Sequence, residues 1–573
     1  MDKLKLIVES IKIKDWKQAL KQCDEYELNN DQNVDIINNY KGVIHYLKKE
    51  LSLAENYFLN SHNLNNKFED PLKNLYLIYI NKNLPEEALK IAKKLFEINS
   101  SNDLYSYQLA YAYELNNEES LALDLYKKSA DLNGKSKFKA LNNIGSIYLK
   151  NQRPKISLEY FLKAYELNKN DKIIVNNLLL NYLDLRNEKK SDDFFLIAQN
   201  IDNNYEDFIL NKAEYLILKE RYDEALKILL EYKDNIKFKI KLIILYSNMG
   251  KESEANSLLD NAREKLKNDR NFYNYISCRS LYEGNFEEGW KYYEYRGHKL
   301  LKVQESIKEW NGESLKDKNI VVFSDQGLGD IIQFSPYLLS LAKISKHVSF
   351  VVPDKIFNLF KNDLSKIKIE TKNTIVNNVY DYKISLGSLI KFFYKEKSLS
   401  NENLIKIDQK NIDNWKGKLN TSKPNVGLVW SGSFNGPNQP FRSLPLKYFK
   451  KLLLLDVNFY CLQNEIWERD KNDFEEMNII NFGKYNLVEM ASIIENLDLV
   501  ISADTSILHL SAILNKETWG IFNIYPDWRW GEFYKINPYP SLKMIKQTKF
   551  NQWDDVIEYL NKNLQTKFKL NQV

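Results

Sequence analysis

Residues 504–510 read Asp-Thr-Ser-Ile-Leu-His-Leu. They place a carboxylate, two hydroxyls and an imidazole where an apolar run, 497–503, gives way to a helical pattern of Ile507, Leu508, Leu510, Ile513 and Leu514. A strand opening into a polar turn at a helix N-terminus is a place where α/β proteins hold phosphate, because free backbone N–H groups and the helix dipole both face the anion. Asp504, Thr505, Ser506 and His509 are therefore candidate contacts to an anionic substrate. A second unit of this kind lies upstream, with an apolar run at 320–323, the turn Gly327-Leu328-Gly329-Asp330, and a helix from Ile331. Gly327 and Gly329 are candidate substrate contacts, and Asp330 is a carboxylate at a strand mouth. Such a side chain either caps its helix or accepts a proton from a substrate. The third glycine of a dinucleotide fingerprint would fall at position 332, which is Ile332, so no NAD site is expected.

Between these units, the run 426–430 leads into Ser431-Gly432-Ser433-Phe434-Asn435-Gly436-Pro437-Asn438, a turn cluster whose amides can approach phosphate oxygens. Arg442 follows closely, and its guanidinium fork suits a diphosphate. Gln463 stands at the end of the run 457–463. Asp527-Trp528-Arg529-Trp530-Gly531 offers two tryptophans for stacking on a sugar or base, or for plugging the space between two lobes. His45, His62, His298 and His347 have no metal-ligand spacing, and no Asp-x-Asp pair stands ready for a metal–diphosphate complex.

The strands and helices that must position these residues alternate from Asn319 onward. Apolar runs at 320–323, 348–352, 367–370, 381–385, 426–430, 457–463, 497–503 and 519–524 are separated by helical stretches. That alternation predicts parallel sheets covered by helices on both faces. A break at 408–424 divides them into two Rossmann-like lobes, 318–406 and 424–566. The second ends in an amphipathic helix at 553–564.

The first half repeats itself. Small residues recur at Ala19, Ala54, Ala88, Ala122, Ser157, Ser191, Ala225, Ala255 and Gly289, in steps of 35, 34, 34, 35, 34, 34, 30 and 34. Four positions after most of them stands a large apolar residue, among them Phe58, Tyr126, Phe161 and Leu229. Twelve before several stands another small one: Gly42, Ala110, Gly145, Ala213. This is the helix–turn–helix phase of tetratricopeptide repeats and predicts an α-solenoid over 1–300, with a concave surface that binds partners.

Composition sets the boundaries. A chain of 573 residues, 44% hydrophobic, builds several cores. Net charge +5, from 82 basic and 77 acidic residues, gives no electrostatic footprint for nucleic acid. Cys23, Cys278 and Cys461 form neither a disulfide framework nor a CxxC pair, which fits a reducing compartment. The N-terminus has no signal-peptide core, and no run approaches the ~18 apolar residues of a membrane span. A cytoplasmic protein without an integral membrane segment is expected.

Several segments resemble bacterial tetratricopeptide-repeat proteins that end in a module akin to glycosyltransferase family nine, the heptosyltransferases. They are GWKYYEYR at 289–296, DQGLGDIIQFSPYL at 325–338, VGLVWSGS at 426–433, FRSLPL at 441–446, LDLVISADTSILHLSAIL at 497–514 and YPDWRWG at 525–531. The resemblance implies a GT-B fold and an inverting, metal-independent sugar transfer from a nucleotide-activated donor. It needs no cofactor beyond the nucleotide sugar, and the solenoid recruits a protein or glycan acceptor. Asp330 matches the family's proposed general base. Asp504, Thr505, Ser506 and His509 match its donor motif, and Arg442 falls where a basic residue meets the donor phosphates. Ser431, Gly432, Gly327, Gly329 and Gln463 complete the expected substrate-binding set. Position 331 departs from the pattern, with Ile331 where relatives carry a small hydroxyl residue. Two other readings stay open, a non-catalytic scaffold with a vestigial transferase fold and a protein O-glycosyltransferase.

Overall fold

The computed structural model describes residues 3–29, 33–151, 153–185, 187–263, 266, 270–296, 307–360, 364–375, 380–396, 404–420, 422–433 and 440–570. Residues 297–306 and most of the Gly/Ser/Asn cluster (434–439) lie outside them. The chain divides into two compact units, Met1–Asn211 and Lys212–Val573.

The first unit consists of paired helices, such as Val34–Leu47 with Leu51–Leu64 and Lys137–Lys150 with Pro154–Leu167. Local chemistry starts them. Pro85 and Pro154 open helices at a position whose N–H needs no partner, and the side chains of Asn102 and Asp171 accept from first-turn amides. The small-residue phase sets the packing. A β-carbon on Gly145 would stand 2.6 Å from the ring of Phe161, and one on Gly42 2.6 Å from that of Phe58. Successive repeats are also joined by amide pairs, Asn74 donating to Asn39 (3.1 Å), Asn177 to Asn142 (2.9 Å) and Asn211 to Asn176 (3.0 Å).

The second unit begins with more helices of the same pattern, down to Arg270–Glu283 and Phe286–Tyr292, and continues into two sheets. The strands of the first are β1 (Lys308–Glu309), β2 (Asn319–Phe323), β3 (His347–Val351), β4 (Ile367–Glu370) and β5 (Tyr382–Ser385). Those of the second are β6 (Asn425–Val429), β7 (Asn458–Cys461), β8 (Leu499–Ala503), β9 (Thr518–Phe522) and β10 (Leu542–Lys546). The first sheet has the order β1-β5-β2-β3-β4 and the second β10-β9-β8-β6-β7, and every pairing is parallel. The central strands β2 and β8 are buried almost throughout because both faces of their sheets are covered. Two strands were not anticipated. β1 precedes the expected lobe start at 318, and β10 lies between the last expected strand and the terminal helix, Asp554–Phe568.

In each sheet the chain first runs outward on one side of a central strand and then crosses to the other. The crossings fall between β2 and β5 in one sheet and between β6 and β8 in the other. A crevice opens outside the carboxyl ends of strands at such a switch point, and ligands bind there.

The last repeat helices pack on the sheets. Trp290 meets Tyr293 (5.1 Å), Trp528 (5.8 Å) and Phe533 (6.3 Å) edge-on, so one indole touches elements on both sides. Arg296 enters the β2/β5 switch point with a side chain only 7% exposed. It donates to Asp325 Oδ2 (2.7 Å), Ser385 Oγ (2.7 Å), Ser388 Oγ (2.8 Å) and the Tyr293 carbonyl (3.0 Å), and it covers the Tyr293 ring. Asp325 also accepts from the Gly387 amide (3.0 Å). The GWKYYEYR segment thus fastens the loop after β2 to the helix after β5.

Candidate active site

The β6/β8 switch point holds a cavity of about 450 Å³. Ser431, Gly432, Gln463, Thr505 and Ser506 line it from the second lobe, and Leu328 and Lys355 from the first. Thr505 is the N-cap of the helix Ser506–Ile513, so the first-turn amides and the positive end of the dipole open toward this space. Ser502 and Thr505 hydroxyls pair at 3.2 Å, which fixes the turn.

Gln463 turns out to be a clamp. Its Oε1 accepts from the amides of Trp430 (2.6 Å) and Ser431 (2.8 Å), and its Nε2 donates to Ser431 Oγ (2.9 Å) and the Glu465 carbonyl (3.1 Å). The side chain borders the cavity but spends its hydrogen-bonding capacity on the Ser431 loop. Gly432 is held likewise, its amide donating to Ser443 Oγ (3.2 Å) and its carbonyl accepting from Trp467 Nε1 (3.1 Å).

The helix Leu328–Phe334 packs against Ser506–Ile513 with Gly329 at the crossing. A β-carbon there would lie 3.0 Å from His509 Cδ2 and 3.6 Å from the Ser506 Cα. The two strand-turn-helix units therefore meet, although they are far apart in sequence. Asp330 uses both carboxylate oxygens. Oδ2 accepts from the Gly327 amide (3.0 Å), closing the helix cap, and Oδ1 forms an ion pair with Arg529. Arg529 also reaches Asp527 Oδ1 (2.5 Å) and Gln326 Oε1 (2.9 Å). Burial pushes the Asp330 carboxyl up from its ordinary value, and the Arg529 guanidinium opposes that shift.

The tryptophans around Arg529 are plugs, not stacking platforms. Trp528 is buried among Trp290, Tyr293 and Phe533, and Trp530 lies on the His509 imidazole (5.2 Å, 17°) and against Phe522 (4.7 Å). His509 itself is a buried residue whose Nδ1 pairs with the Tyr539 hydroxyl (3.1 Å) and whose Nε2 is 4.0 Å from Asp504. Burial, reinforced by Arg529 and Arg442, lowers its pKa to about 3. Burial raises Asp504 to about 6, with Arg442 as the main opposing charge. Arg442 is thus close enough to act on both groups, and its buried Nε has no hydrogen-bond partner among the described residues.

Asp330, Gly327, Gly329, Arg442, Asp504, Thr505, Ser506 and His509 are thereby connected through direct contacts or mutual electrostatics. Arg529 and Lys355 were missed as site residues. Arg529 was visible only as a cation between tryptophans, and nothing in the sequence singles out Lys355.

A run of paired helices joined to two parallel α/β sheets, with a cavity at one switch point, defines a helical-repeat protein carrying a two-sheet α/β module. Residues 454–553 match the model for glycosyltransferase family 9 (heptosyltransferase). Protein FlbA of Caulobacter vibrioides (strain ATCC 19089 / CIP 103742 / CB 15) is 21% identical over 314 residues, 47% of this chain and 51% of FlbA. The chain thus spans about half the length of this curated relative. Among solved structures, Pseudomonas aeruginosa pilF is 14% identical over 36% of this chain and 94% of its own, with a TM-score of 0.32. The Cut9–Hcn1 hetero-tetramer of the APC/C is 14% identical over 44% of this chain and 50% of its own, with a TM-score of 0.35. Among the described residues no helix is long and apolar enough to cross a membrane.

Proposed function

We propose that the chain is a glycosyltransferase of GT-B architecture, the two parallel sheets being its lobes. It moves a sugar from a nucleotide-activated donor, with inversion and without a metal, to a protein or glycan acceptor recruited by the repeats. The observation that carries this reading is the cavity at the β6/β8 switch point, bordered by the Ser431–Gly432 loop and the Thr505–Ser506 helix start, within a lobe that contains the family 9 segment. The donor diphosphate lies against that helix start, with Arg442 on the same lobe and Lys355 on the opposite wall. Preorganised charges and dipoles of this sort stabilise the leaving group as the glycosidic bond breaks.

Asp330 takes the proton of the acceptor hydroxyl, whose oxygen attacks the anomeric carbon from the face opposite the departing diphosphate. Each carboxylate oxygen keeps a lone pair beyond its contact to Gly327 or Arg529. Burial makes the carboxylate a better proton acceptor than a solvated one. Arg529 holds it in orientation.

A thermal-stability screen with nucleotide sugars and nucleoside diphosphates tests the reading. A true donor at 100 times its Kd adds about 2.7 kcal/mol. Asp330→Asn then lowers turnover by about 10²–10⁴-fold with donor affinity unchanged, whereas Arg442→Ala weakens diphosphate binding as well. Wild-type turnover in Asp330→Asn sinks the base assignment. The Asp330–Arg529 ion pair and Ile331 favour a second reading, a non-catalytic scaffold in which the carboxylate only latches the two lobes. Failure of every nucleotide to stabilise the wild-type chain selects that reading.

A further inference from the structure

Among the described residues, the one five positions before the repeat's small residue turns the chain between two helices. Lys14 (φ 61°), Lys49 (φ 66°), Asn83 (φ 55°), Asn117 (φ 62°), Glu220 (φ 59°), Gly250 (φ 71°) and Gly284 (φ 87°) all have left-handed backbone there. Within the Lys212–Val573 unit these turns form a seam with the second lobe. A β-carbon on Gly250 would stand 3.0 Å from Ile524 Cδ1, one on Gly284 would stand 3.1 Å from the Glu532 side chain, and Glu220 forms an ion pair with Arg469.

The Glu220 turn differs from the other two in what lies behind it. Arg469 covers the Trp467 indole (4.6 Å), whose Nε1 holds the Gly432 carbonyl (3.1 Å). The next residue, Asp470, is 1% exposed and holds both ends of the segment between Trp430 and Leu446, accepting from Trp430 Nε1 (3.1 Å) and the Leu446 amide (2.9 Å). Two positions past Glu220, Tyr222 stacks on Phe441 (5.6 Å, 26°), the neighbour of Arg442, and meets Phe550 edge-on (4.9 Å). One repeat turn thus reaches the Ser431–Gly432 stretch that borders the cavity, through Arg469, and the Phe441–Arg442 stretch, through Phe441.

We propose that Glu220 and Tyr222 are positioning residues of the donor site, and that the repeat turn at 219–222 sets the geometry with which Gly432 and Arg442 receive a nucleoside diphosphate. This rests on the donor-site reading above. The Glu220 carboxylate has its partner, Arg469, on the lobe.

Calorimetric titration of the full chain with ADP, GDP, UDP and CDP, and with the matching nucleosides, tests it. Glu220→Asn keeps a residue that this turn accepts at Asn83 and Asn117 but removes the charge. Tyr222→Ala removes the ring, and Tyr222→Phe keeps it. The expected result is a diphosphate affinity at least about tenfold weaker in Glu220→Asn and Tyr222→Ala, with nucleoside affinity unchanged. Tyr222→Phe should bind as the wild type does, and so should Glu532→Ala, which alters the seam away from the cavity. Should Tyr222→Ala fail to fold, Glu220→Asn decides alone. Wild-type diphosphate affinity in the folded variants overturns the positioning role, as does an equal loss for nucleoside and diphosphate. If the wild-type chain binds none of the diphosphates, the donor site itself falls, which is a distinguishable failure.

Discussion

His509 shows how far burial reshapes a side chain that sequence reading placed among substrate contacts. It lies under Trp530, pairs with Tyr539 and, with a pKa of about 3, stays neutral in the folded chain at any pH near physiological. Its folded pKa is depressed, so between about 6.5 and 3 the unfolded chain binds the proton and the folded chain does not. His509 therefore lowers stability progressively as pH falls through that window, with a limiting slope of about 1.4 kcal/mol per pH unit. Asp504, raised from 3.8 to about 6, acts in the opposite sense, since there the folded chain holds the proton more tightly and loses stability as pH rises toward 6. His509→Gln removes only the first effect. Measured by thermal unfolding, the Tm of this variant minus that of the wild type should grow as pH falls from 6.5 to 4, and a flat difference would show that the imidazole titrates freely. The 504–509 motif was legible because strand, turn and helix are contiguous in the chain. Arg529 was not, because its partner Gln326 lies 203 positions away and only folding joins them.

At the scale of elements, the repeats were readable because each small residue answers a packing demand one helix away. Gly145 faces Phe161 so closely that even one methyl overlaps the ring. Gly145→Ala should therefore destabilise the chain by about 1–3 kcal/mol through overpacking, despite the higher helix propensity of alanine. Adding Phe161→Leu should recover part of the loss, and urea denaturation of the single and double variants measures the coupling. A stabilised Gly145→Ala would mean that propensity, not contact, governs the site. The central strands were legible for a related reason, since β2 and β8 are apolar almost throughout. The unanticipated β1 and β10 are edge strands. β1 is two residues long, and β10 alternates exposed lysines with partly buried apolar residues, a pattern suited to an edge but weak as a sequence signal.

For the whole molecule, the decisive boundary lies where sequence period gives no sign of one. The small-residue phase runs on past residue 211, yet the helices from 212 to 296 belong to the compact unit that contains both sheets. Their attachment is made of contacts that no periodicity encodes: Trp290 against Trp528 and Phe533, Arg296 in the β2/β5 switch point, and the turns at Glu220, Gly250 and Gly284 along the second lobe. A fragment of residues 212–573 should accordingly unfold in one cooperative step. A fragment of residues 307–573, which matches the α/β region more simply, should not. It leaves Asp325, 5% exposed, without the guanidinium that neutralises it, and loss of one partner of a buried ion pair costs about 3–5 kcal/mol. It also strips the aromatic cover from Trp528, Phe533 and Phe441. Near-ultraviolet circular dichroism and thermal melts of the two fragments compare them directly. If 307–573 melts as sharply and as high as 212–573, the repeats from residue 212 are an appendage, and the α/β module needs nothing from them.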